Sequence, residues 1–158
     1  MQIVSEETVQ RMADAFAMVF LLSQRFEYIT NKVLEPDGLT TKQFLTIAVI
    51  ERGFDPPPSI SQVGDYLSTS HQNVKQIAEQ LQRKGFIKIE KDPNDGRRLL
   101  LKVTKKNREY WDSKAPEHVV EVKKLFDSLT QEEIDMFYTL VAKLIEGTSK
   151  VYRDARDS

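Results

Sequence analysis

The amino-acid sequence predicts a mainly α-helical fold with one small β-hairpin. Two observations carry that expectation. Six segments read as helices, and three of them open on a Ser or Thr followed three residues later by Gln or Glu, the reciprocal cap of a helix start. Between the fourth and fifth, two short runs rich in Ile, Leu and Val flank Asp92-Pro93-Asn94-Asp95-Gly96, a strong turn signal. With 158 residues, 40% hydrophobic and 30% charged, the chain can pack one core and is not polar enough for disorder.

Residues 6–32 form the first expected helix, with a broad apolar stripe through Ala13, Phe16, Ala17, Phe20, Leu21 and Leu22. Pro36-Asp37-Gly38 breaks it. Thr40-Thr41-Lys42-Gln43 has the capping-box form and starts a helix carrying Phe44, Ile47, Ala48 and Ile50. That helix ends near Gly53, which tolerates the left-handed cap conformation. Asp55-Pro56-Pro57-Pro58 is a stiff linker. Ser59 to Gln62 is the second box and opens a short helix, 60–67, with Ile60, Val63 and Leu67 inward.

Ser68-Thr69-Ser70 makes a turn, and Ser70 caps the next helix. Val74, Ile77, Ala78 and Leu81 fall at i, i+3, i+4 and i+7, a clean inward stripe. Gly85 stops it after Arg83 and Lys84, charges that suit a helix C-terminus. The hairpin runs 86–91 and 99–103. A long polar helix follows Thr104 to about residue 126, with a kink or break expected at Pro116. Thr130 to Glu133 is the third box. The last helix is expected to bury Ile134, Phe137, Leu140, Val141, Leu144 and Ile145.

Two consecutive helices joined by a tight turn, then a hairpin, make a winged helix-turn-helix, which sets one helix in the DNA major groove and a hairpin beside it. Charge agrees. Residues 60–106 hold ten Lys and Arg against five Asp and Glu, a local +5 inside a chain of net −1. A basic centre between acidic flanks is what contact with a polyanion requires. Beyond the Ser70 cap, His71, Gln72, Asn73, Lys75 and Gln76 point outward, with Glu79 further on. Gln and Asn can pair with adenine, and Lys and His with guanine acceptors or phosphate. At the hairpin tip, Arg97 and Arg98 suit a narrow minor groove, and Asp95 can aim the arginine or accept turn amides.

The first and last helices carry more apolar surface than such a lobe needs, and a second copy of the chain is the simplest partner for it. The expected organisation is therefore one domain over 1–158. Its DNA-binding lobe lies at about 40–104, and dimerisation helices lie at about 6–32 and 105–150.

These residues resemble the MarR (multiple-antibiotic-resistance regulator) family of bacterial transcription factors, over nearly the whole chain and most closely from Leu39 to Thr104. Leu39-Thr40-Thr41-Lys42-Gln43-Phe44 is similar to the family's LTxxQF opening of its second helix. Residues 60–67 resemble the first helix of its helix-turn-helix, and Ser70 to Ile77 with Leu81 to Ile87 resemble its recognition helix and exit. Asp95-Gly96-Arg97 matches the DxR of its wing, and Val103-Thr104 stands where LT is usual. The resemblance implies an obligate homodimer through the terminal helices, a pseudo-palindromic operator and, commonly, repression relieved by a small effector. The effector cleft would lie between the dimer helices and the lobe, where Phe16, Phe20, Phe44 and Trp111 are the candidate lining. Asn107 departs from the glycine that many members carry.

Other classes fit less well. No glycine-rich phosphate loop and no Ser/His/Asp arrangement is present, so no enzyme, cofactor or metal is expected. Zero cysteines exclude a thiol switch, and only His71 and His118 are available to a metal. With no basic leader and no apolar run of about 18 residues, a cytoplasmic protein without a membrane segment is expected. The alternative reading is a winged helix that binds proteins. An acidic recognition helix or missing wing arginines would mark it, and the sequence has neither.

Overall fold

Val4–Ser158 are described by a computed structural model; the first three residues of the expected domain lie outside the described residues. Helix α1 spans Glu6–Leu34 and runs into a 3-10 turn at Glu35–Asp37 that holds Pro36. The chain therefore leaves α1 two residues later than expected. Helices α2 (Thr41–Arg52), α3 (Ile60–Tyr66) and α4 (His71–Arg83) follow, then β1 (Ile87–Lys91) and β2 (Leu99–Val103), then α5 (Lys105–Leu125) and α6 (Gln131–Arg156). The strands pair antiparallel, Ile87 opposite Val103 and Lys91 opposite Leu99. The mainly helical fold with a two-stranded wing is thus present.

The capping residues act as the spacing requires. Ser5, Thr40, Ser59, Ser70, Thr104 and Thr130 each accept the backbone N–H three residues on. The reciprocal bond is made by Gln62 and Glu133. It is not made at Thr40. There Gln43 is buried, and its side chain reaches across to α4 instead, donating to Gln80 Oε1 at 2.8 Å and accepting Lys84 Nζ at 3.0 Å. A buried amide takes whichever partners satisfy both its ends, and the local cap would have satisfied one.

Gly53 and Pro116 also depart from expectation. Gly53 is right-handed, φ −87°, so its left-handed tolerance is unused. Its lack of a side chain matters for space, since a Cβ would lie 2.7 Å from Val49 O. Pro116 sits inside an unbroken α5. It forfeits one backbone bond, but Asp112, whose carbonyl loses that donor, is exposed to water.

The fully packed core is confined to the lobe. Val63, Val74, Ala78, Leu81, Ile87 and Leu101 are essentially inaccessible, and the cluster extends to Leu34 and Leu39 at the α1 exit. Each such aliphatic side chain contributes roughly 1.5–3 kcal/mol on burial. The Pro linker belongs to this unit: Leu101 N donates to Pro58 O at 2.8 Å, and Ser59 bridges Leu100, so residues 58–59 extend the hairpin.

Helix α6 does not bury its stripe. Ile134 and Phe137 are half-covered; Phe137 packs against Phe126 at 5.9 Å, and Phe126 also meets Phe26 at 6.1 Å. Leu140, Val141, Leu144 and Ile145 face solvent, as do Phe16, Val19 and Phe20 of α1. Within one chain these side chains are left uncovered. Among the described residues no helix is long and apolar enough to cross a membrane.

Candidate nucleic-acid interface

Helix α4 is anchored by its apolar stripe, with Val74, Ile77, Ala78 and Leu81 all buried. Its opposite face must then point away from the lobe. His71, Gln72 and Gln76 are exposed, and Lys75 is half-buried. Ser70 Oγ accepts Asn73 N at 3.2 Å, which spends one of the orphan N–H groups of the helix start. Asn73 is less available than the sequence reading supposed. It is half-buried, and its Nδ2 donates to Thr69 Oγ1 at 2.8 Å.

The α3–α4 turn is tight. Ser68 has φ +54°, and Gly64 lies where a Cβ would be 3.1 Å from Thr69 O. That closeness lets α3 brace α4. The other end of α4 is braced too. Gln82 Oε1 accepts Ile89 N of the wing at 2.7 Å, Lys84 Nζ donates to Gly38 O, and Lys106 Nζ donates to Lys84 O at 2.7 Å.

The wing tip is folded by its own acids. Asp92 Oδ1 accepts Asn94 N at 2.8 Å, and Asp95 Oδ1 accepts Arg97 N at 3.1 Å and Arg97 Nε at 3.4 Å. Asp95 thus orders the turn and leans on the arginine together. The two arginines differ. Arg97 has a side chain 94% exposed. Arg98 is turned back: its guanidinium lies 3.9 Å from the nearly buried Asp92 carboxylate and donates to Gln62 Oε1 at 3.3 Å. Along the strands, Lys102 pairs with Glu90 at 2.6 Å, and that contact holds the Glu90 carboxyl below its ordinary range.

A second feature lies on the far side of the lobe. Phe44 and Trp111 approach to 5.4 Å, and Trp111 and His118 to 5.2 Å. They line a cleft of about 450 Å³ between α2 and α5, with Ala115, Arg52 and Lys123 on its walls. Phe16 and Phe20 are not part of it. They stack edge to face at 5.0 Å on α1, exposed, because that turn of α1 projects beyond the lobe. Asn107 is buried beneath this region. Its Oδ1 accepts Trp111 Nε1 at 3.0 Å, and its Nδ2 has no hydrogen-bond partner. Tyr110 beside it is driven above its ordinary pKa, by burial first and by the Asp37 carboxylate second.

Sequence reasoning missed Gln43, Gln62, Lys84 and Gln82 as ties. Each is a long polar residue on a helix, and only the fold brings its partner near.

Residues 37–98 match the model of the MarR family. The chain is 27% identical over 143 residues to the uncharacterized HTH-type transcriptional regulator YkoM of Bacillus subtilis, covering 88% of this chain and 89% of that one. It is 25% identical over 124 residues to the transcriptional repressor MprA of Escherichia coli, covering 78% and 70%. Among solved structures, a MarR protein from Peptoclostridium difficile superposes with a TM-score of 0.76 at 19% identity, over 98% of this chain and 97% of that one. A mutant MarR from E. coli complexed with operator DNA superposes with a TM-score of 0.73 at 19% identity, over 85% and 95%.

Proposed function

We propose that this chain is a MarR-family transcriptional regulator that binds a pseudo-palindromic DNA site as a homodimer. The observation that carries the reading is the pairing of two elements on one lobe. One is an exposed polar start to α4 at His71, Gln72 and Gln76. The other is a wing whose Arg97 stands clear of the protein. The α4 residues suit base edges in the major groove, and Arg97 suits the adjacent minor groove. Lys75, Asn73 and Ser70 serve the same end of the helix, with Asn73 also fixing the turn.

A second copy of the chain is the partner for α1 and α6. Phe16 is 68% exposed and Ile145 67%, on two helices that hold no full core of their own. An exposed apolar face of that length on a soluble domain marks an interface. Two-fold symmetry would present two α4 helices to one DNA face. We assign repression as the sign of regulation, in line with two relatives, the transcriptional repressor MprA of Escherichia coli and the HTH-type transcriptional repressor YetL of Bacillus subtilis. A small effector would enter the Phe44–Trp111–His118 cleft, which has an apolar floor and polar rim suited to a ligand.

The test is binding of the purified protein to a labelled fragment from upstream of its own gene, against scrambled DNA, at two salt concentrations. Selective, salt-steep binding is the expected result, because phosphate neutralisation releases counterions. Equal weak binding to both fragments at both salts would favour a protein-binding winged helix instead.

A further inference from the structure

We propose that Gln62 is a positioning residue for the wing: it holds Arg98 against α3 and so sets the angle at which Arg97 is presented. The proposal rests on the DNA-binding reading above. Gln62 occupies the third position of α3, and its Oε1 accepts Ser59 N at 2.9 Å while Ser59 Oγ accepts Gln62 N at 3.3 Å. That reciprocal cap fixes the amide in space. The same oxygen accepts Arg98 Nη2 at 3.3 Å, across 36 residues of chain.

Arg98 itself is tied to the base of the tip. Its carbonyl accepts Asp92 N at 2.9 Å, its N–H goes to Asp95 O at 2.9 Å, and its guanidinium faces Asp92 Oδ2. Moving Arg98 therefore moves the turn that carries Arg97. Among the described residues, the Gln62 bond is the one hydrogen bond that joins residues 92–98 to the lobe outside the hairpin. The remaining ties, Leu101 to Pro58, Leu100 to Ser59 and Ile89 to Gln82, sit on the strands. A hairpin held only along its strands can swing at its tip. Gln62 opposes that swing from the helix that also braces α4, so the wing and the recognition helix share one reference.

The test separates the cap from the tie. Ser59→Ala weakens the same cap but leaves the Arg98 partner in place. Gln62→Ala removes both. Binding of the upstream fragment is measured for wild type, Ser59→Ala, Gln62→Ala, Arg98→Ala and the Gln62→Ala/Arg98→Ala double variant. Gln62→Ala is expected to weaken binding about three- to tenfold in the wild type, with less than about twofold further loss when Arg98 is already alanine, the signature of a shared path. Ser59→Ala is expected to change binding by less than about twofold. Hydrogen exchange of the free proteins gives an independent readout: wing amides from Asn94 to Arg98 should exchange faster in Gln62→Ala than in Ser59→Ala. Equal losses in both backgrounds, or equal wing exchange in the two variants, would overturn the proposal. If the wild type binds no fragment selectively, the DNA reading fails, and the exchange comparison still decides whether Gln62 holds the wing.

Discussion

Gln43 in α2 donates its amide N–H to Gln80 in α4 across 2.8 Å and accepts Lys84 from the end of the same helix. This buried pair of bonds spans the packing seam between the helix that lines the cleft and the helix proposed to read DNA. Gln43→Leu keeps the volume and deletes both bonds. We expect a loss of about 1–2 kcal/mol, read as a lower midpoint in urea denaturation with an unchanged slope. An unchanged midpoint would mean that Gln80 and Lys84 find water at no cost.

The two wing arginines should fail differently. Arg97→Ala removes an exposed side chain whose bond to Asp95 is long, at 3.4 Å, and open to water, so DNA affinity should fall several-fold while the melting temperature stays within about 1 °C of wild type. Arg98→Ala should weaken binding and also speed amide exchange at the tip, because Asp92 and Gln62 lose their shared partner. Parallel behaviour of the two variants would erase the distinction drawn between them.

Self-association should depend on α1 and α6. Phe16→Glu places a charge on an apolar face that a second copy would cover. Sedimentation velocity should show the dissociation constant rising by at least about tenfold, since burying an unpaired carboxylate costs several kcal/mol. The lobe should keep its fold, because its core residues lie elsewhere. A variant that associates like wild type would move the interface off this face.

Acid should loosen the wing through Glu90. Lys102 holds the Glu90 carboxyl below its ordinary value of 4.5. A depressed carboxylate stabilises the folded state above its unfolded pKa, and that stabilisation is lost as pH falls through the folded pKa. Comparing wild type with Glu90→Gln, the stability difference should be steady above about pH 5 and shrink below pH 4.5. A difference that does not vary with pH would show that the pair is held by geometry and not by charge.

The cleft can be tested with the sole tryptophan of the chain, Trp111, which lies in its wall. An apolar fluorescent probe, anilinonaphthalene sulfonate, should quench Trp111 emission by energy transfer on binding there. Ala115→Phe, which fills the wall, should abolish the quenching and leave DNA affinity within about twofold. Quenching that survives the filled cleft would place the probe elsewhere.

The residues that were legible in the sequence are those whose partners are close in the chain. Ser59 with Gln62, Ser70 with Asn73 and Thr130 with Glu133 signal themselves three residues apart. Asp95 with Arg97 does so two residues apart. The stripe of α4 was legible because its period matches the helix. Gln43 shows the limit. Its position fitted a cap, yet a partner 37 residues away satisfied it better. Phe16 and Phe20 show another. Their spacing announced an apolar face but not what lies opposite, and the structure puts them far from the Phe44–Trp111 cleft. Pro116 was legible as a disruption, but the solvent at Asp112 made the disruption cheap to absorb.

The confinement of the core to the lobe has a consequence for how the molecule ages in a dilute cell. The lobe is stabilised by its own contacts at any concentration, whereas in the proposed homodimer α1 and α6 would gain their cover by mass action. Scarce protein would therefore shed order from its two ends first, and proteases would trim the ends while the lobe survives. A trimmed lobe could still touch half of a palindrome but could not grip both halves. Abundance itself then becomes an input: regulation would switch on over a concentration threshold, set by how tightly two pairs of bare helices find each other.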